Sequence, residues 1–128
     1  MVSRMRPPAP PAAHVLMAGD TGDIAAIRSR LADCDPNATG LVFVEAFNAV
    51  QIVHLDAPAG VGVHWVFREN ALGTVAPRGQ VLVAAVDGWL DEWMRPEGGV
   101  EIVIWLGARS SGIVNTYASR LDRELAAI

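Results

Sequence analysis

Four apolar runs of strand length, at positions 15–18, 41–44, 61–67 and 100–106, are separated by stretches in which apolar residues recur at helical spacing. This alternation constrains the fold more than any other feature. Strands that alternate with helices form right-handed crossovers, so the expected class is α/β: a three-layer sandwich with a central, mostly parallel sheet of about 4-5 strands and helices on both faces. Val15-Leu16-Met17-Ala18 halts at Gly19-Asp20-Thr21-Gly22, a strand entering a tight turn. Ile24, Ile27 and Leu31 then fall at i, i+3 and i+7, on a helix capped by Asp20 or Thr21 that cannot continue past Pro36. Leu41-Val42-Phe43-Val44 is the second strand, with Glu45 at its C-terminal end; 61–67 is the third, closed by Arg68-Glu69-Asn70. Residues 80–93 carry Leu82, Val86, Leu90 and Trp93 at helical spacing, a strand over 81–86 being the alternative. From Gly112, Ile113, Tyr117, Leu121 and Leu125 repeat every four residues as a terminal amphipathic helix.

At 128 residues the chain makes one domain. Residues 1–13, with Pro7, Pro8, Pro10 and Pro11, read as a proline-rich tail, and 14–128 as the folded unit. All ten basic residues are arginine, which removes Schiff-base chemistry, a Walker-type phosphate lysine and an amine general base. A net charge of −4 argues against a nucleic-acid surface. The single cysteine, Cys34, suits a reducing compartment, and the cytoplasm is the expected location. No apolar run reaches the ~18 residues of a membrane span. His14, His54, His64 and Cys34 show no ligand spacing, so no metal is expected.

In such sheets ligands bind beyond the strand C-termini where strand order reverses. With a strand order 3-2-1-4, the loop of Gly19, Asp20, Thr21 and Gly22 faces the loop of Gly107, Arg109, Ser110, Ser111 and Gly112 across that crevice. Thr21-Gly22 and Ser110-Ser111 each precede a helix, where free amides receive a phosphate; the alternative is that Asp20, Thr21 and Ser111 cap their helices. Asp20 and Asp23 repel such an anion unless Arg109 compensates. Arg68 is a second candidate anion contact, or else a strand-end arginine paired with Glu69 or Glu45. Trp89 and Trp93 fit either a buried stripe or a partner surface.

The stretch Gly19-Asp20-Thr21-Gly22-Asp23-Ile24-Ala25-Ala26-Ile27 resembles the Gly-Asp-Glu-Thr-Ala-Leu-Pro-Ala-Ile opening of the C-terminal, Rossmann-like domain of siderophore-interacting proteins, flavin-dependent ferric-siderophore reductases. Phe43-Val44-Glu45 resembles that family's second-strand ending, 61–68 its Gly-Val-x-Val-x-Trp-x-x-Arg pattern, and Ile104-Trp105-Leu106-Gly107 its Trp-Val-Ala-Gly strand. The resemblance implies NADPH binding on this lobe, with Arg68 at the adenosine 2′-phosphate, and FAD on a preceding β-barrel. Here no barrel precedes the first strand, so FAD is not expected on this chain alone. Ala108 also stands where the family carries glutamate, and the Arg-rich, aromatic ending is missing. The expectation is therefore a binding or interaction module. Its partner is either a separate flavin-domain protein, which would make it an NADPH-binding reductase subunit, or a second copy in an oligomeric scaffold, a homodimer being the simplest.

Overall fold

The computed structural model describes residues 14–94 and 102–126, without the side chains of 93 and 94. The proline-rich tail, the start of the run at 100–106 and the Trp93 side chain lie outside the described residues. The elements are β1 (His14–Asp20), a 3-10 turn (Thr21–Asp23), α1 (Ile24–Ala32), β2 (Thr39–Ala46), a second 3-10 turn (Ala49–Gln51), β3 (Gly60–Phe67), α2 (Gln80–Met94), β4 (Ile102–Leu106) and α3 (Gly112–Ala126). The four strands pair in parallel, as the alternation predicts, and their order is β3-β2-β1-β4, the one under which the two glycine loops face each other.

Side chains on successive strand residues point to opposite faces, and the two cores follow that alternation. Val15, Met17, Val42 and Val44 meet Ile27 and Leu31 of α1. Leu16, Ala18 and Phe43 meet Leu82, Val86 and Trp89 of α2 and Val114, Tyr117 and Leu121 of α3. Burying a side chain such as Ile27, which is fully enclosed, is worth about 2 kcal/mol over leaving it in water. Trp89 is thus a core residue, and Trp105 lies on the α1 face beneath the Arg30 guanidinium, 4.7 Å from its ring centre.

The β2–β3 crossover contains no α-helix; Leu55 covers the α1 face there instead. Gly40 sits at φ +143° where β2 approaches β1, and a Cβ on it would overlap the Val15 carbonyl.

Two expectations change, and one alternative falls away. β1 runs through Gly19 and Asp20, because β2 extends to Ala46 and keeps the ladder going; the turn begins at Thr21. The helix expected over 80–93 forms with its apolar stripe on the sheet, so the alternative strand over 81–86 falls away. The buried stripe of α3 is Val114, Tyr117, Ala118 and Leu121, and Ile113 is exposed. Steps of four drift about 40° per step around a helix of 3.6 residues per turn, so a strict fourfold series leaves the inward face, whereas mixed steps of three and four stay on it.

Candidate functional site

β1 and β2 finish level, with Asp20 opposite Glu45 and Glu45 opposite Val66 of β3. Alternation sends both acids to the α2/α3 face, where they meet the start of α2. Glu45 is buried and accepts the Gly79 amide with both carboxylate oxygens, at 3.1 and 2.9 Å, and the Leu82 amide at 3.3 Å. It thereby caps the positive end of α2. Gly79 makes this turn possible: its φ is +96°, and a Cβ would strike Ser111 and Val114. Asp20 accepts Arg78 Nη2 at 2.6 Å and Nε at 2.9 Å. The hydrogen bonding to Asp20 first, and its charge second, hold the Arg78 guanidinium above an already high range. Ser111 Oγ donates to the Arg78 carbonyl at 2.8 Å and accepts the Val114 amide. The network ties β1, β2, α2 and α3 into one frame.

The crevice between the ends of β1 and β4 forms where the strand order places it, and its interior holds Asp23. Asp23 Oδ2 accepts the Asp20 amide at 3.0 Å and, across the gap, the Ala108 amide at 2.8 Å. Asp20 in turn accepts the Gly22 amide at 3.0 Å and completes a reciprocal capping box with Asp23. Gly19 and Gly107 flank the Asp23 carboxylate so closely that a Cβ on either would collide with it. Ala108, at φ +55°, is the only non-glycine residue at positive φ among those described.

A second opening, of about 110 Å³, lies on the other side of Asp20 and is lined by Thr21, Glu45, Phe47, Gln51, Arg68 and Arg78. Arg68 donates its Nε to the Ala76 carbonyl at 3.0 Å and forms no ion pair with Glu69, Glu45 or any other described residue. Arg68 also lines the opening.

Gly19, Asp20 and Gly107 thus meet around Asp23, and Arg68 joins Asp20 and Thr21 at the second opening. Thr21, Gly22, Arg109 and Ser110 are exposed. Arg109 turns away from the crevice to the Leu106 carbonyl and Asn115. Ser111 is buried as a cap and frame contact. In the sequence Glu45 reads only as a strand-end acid or a partner for Arg68, and Arg78 carries no signal at all. A carboxylate closing a run that is otherwise buried on both faces was the available signal for Glu45.

The diphosphate of a dinucleotide requires free amides and a cation in this crevice. The amides of Asp20, Gly22 and Ala108 are committed to carboxylates of the chain itself, and Arg109 points elsewhere. The residues as arranged do not fit that group. The second opening has room for a single anionic group.

The profile of the family described as siderophore-interacting protein matches residues 12–124. A siderophore utilization protein from T. fusca superposes with a TM-score of 0.66 at 23% identity, over 91% of this chain and 40% of the other. The siderophore-interacting protein SipS from Aeromonas hydrophila gives 0.53 at 22% identity, over 79% and 40%. A siderophore-interacting protein from Acinetobacter baumannii gives 0.53 at 20% identity, over 80% and 36%. The chain spans about two-fifths of the length of these structures. No curated protein matches in sequence. Among the described residues, no helix is long and apolar enough to cross a membrane.

Proposed function

The chain belongs to the siderophore-interacting protein family, and from that premise we propose that it is a binding module of siderophore-linked iron metabolism. It corresponds to the nucleotide lobe of ferric-siderophore reductases, whose hydride-transfer chemistry belongs to a flavin. The observation that carries this reading is the second opening, where Arg68 and Arg78 line one small polar pocket at the C-terminal edge of the sheet. A guanidinium fork suits a carboxylate or catecholate oxygen pair on an anionic ferric siderophore. Both carboxylates beside it are already engaged, Glu45 by amides and Asp20 by Arg78.

Calorimetric titration with iron-loaded siderophores tests this. Anionic catecholate or carboxylate complexes are expected to bind more tightly than neutral hydroxamate complexes, and Arg68→Ala to weaken them at least tenfold. Absence of binding by every complex contradicts the reading.

A second reading, an NADPH-binding subunit for a flavin domain on another chain, requires the diphosphate to lie outside the space that Asp23 fills and puts only the phosphate monoester on the same arginines. Phe47, 38% exposed at this opening, and its chain neighbour Val50, 90% exposed, suit a docked partner. Raised NADPH oxidation on mixing with flavin-domain proteins would favour it.

A further inference from the structure

We propose that Asp23 is a built-in occupant of the β1/β4 crevice and the residue that excludes dinucleotides from this lobe. The inference concerns residues other than the arginine pocket and stands apart from the siderophore reading.

Three observations converge on it. The carboxylate lies at the carboxyl ends of neighbouring strands from which the chain departs in opposite directions, the place where parallel sheets of this kind hold ligands. One oxygen accepts an amide from each wall, Asp20 on the β1 side and Ala108 on the β4 side. The gap between Gly19 and Gly107, which in sequence reads as room for a phosphate, is the width of this side chain: a Cβ on Gly19 or Gly107 would come within 2.9 or 2.7 Å of Asp23 Oδ2. The backbone at Ala108 adopts its left-handed conformation where its N–H meets that oxygen.

A diphosphate entering here would lose both amides and stand next to an anion. Arg78 donates to Asp20 Oδ2 and not to Asp23. Repulsion between unit charges about 4 Å apart lowers affinity by roughly tenfold or more near a protein surface. Asp23 therefore decides what the crevice accepts without touching the ligand of the neighbouring pocket.

The test is calorimetric titration of the wild type, Asp23→Asn and Asp23→Ala with inorganic pyrophosphate and with NADPH, alongside circular dichroism of each protein. The wild type is expected to give flat heats to millimolar ligand. Asp23→Ala should bind pyrophosphate at least tenfold more tightly than the wild type, and pyrophosphate should compete with NADPH for it. Asp23→Asn, which keeps an acceptor and loses the charge, should fall between them. Submillimolar binding of NADPH by the wild type, displaced by pyrophosphate, overturns the proposal, and so does a folded Asp23→Ala as inert as the wild type. Should Asp23→Ala fail to fold, Asp23→Asn decides: a gain supports the proposal and no gain overturns it.

Discussion

Replacing Glu45 by alanine should remove the joint between the sheet and α2. In the native chain its carboxylate, 1% exposed, satisfies the Gly79 and Leu82 amides at the first turn of α2. Each buried donor left without a partner costs about 1–3 kcal/mol, and losing a negative charge at a helix N-terminus adds roughly 0.3–2 kcal/mol. Water reaching the space left by the side chain would recover part of this, so the expected net loss is about 3–4 kcal/mol. Glu45→Gln keeps one acceptor oxygen and should lose only about 1–2 kcal/mol. Urea unfolding followed by tryptophan fluorescence reads both. With a slope near 1.5 kcal/mol per molar for a domain of this size, the alanine midpoint should fall by about 2–3 M. A midpoint for Glu45→Ala within about 0.5 M of the wild type would refute the assignment of Glu45 as the cap of α2, and equal losses in the two variants would refute the division between hydrogen bonding and charge.

Tyr117 is buried and donates to Asp87 at 3.1 Å; burial first, and the Asp87 charge second, push its phenol well above the usual 10.0. Its neutral form is the stable one in the fold, so this contribution is complete below pH 10 and declines above it by about 1.4 kcal/mol per pH unit until the folded phenol ionises. The chain has no lysine and one tyrosine, so phenolate absorbance and thermal melts between pH 9 and 12 should show this directly, and Tyr117→Phe should flatten the slope. Gly40→Ala should destabilise by at least ~2 kcal/mol in urea, whereas Gly88→Ala, in α2 with open space around it, should stabilise by up to ~1 kcal/mol. The Cys34 thiol is raised by burial and by Asp33, so its reaction with a disulfide reagent at pH 8 should be slower in the folded chain than in denaturant.

The strands were legible because each apolar run is of strand length and two of them end in a turn signal: Gly19 to Gly22 after the first, Arg68 to Asn70 after the third. Local chemistry sufficed for Asp20, whose capping role depends on residues two and three positions away. It could not show that Arg78 reaches back 58 residues to Asp20, that Glu45 caps a helix 34 residues on, or that Asp23 bridges to Ala108 across 85. Those contacts exist only once β4 is laid beside β1 and α2 behind β2. The same dependence on tertiary structure explains Asp23. In sequence it is an acid that repels a phosphate, and in the fold it fills the space the phosphate would need.

Amide chemical-shift mapping with a gallium-loaded anionic siderophore, the diamagnetic counterpart of the iron complex, bears most directly on a lobe whose crevice is closed and whose neighbouring arginine pocket is open. Shifts confined to Phe47, Arg68, Arg78 and Gly79, with the amides of Asp20 and Ala108 unmoved, are the expected result. Shifts centred on Gly22, Gly107 and Ala108, or none at saturating ligand, would contradict it.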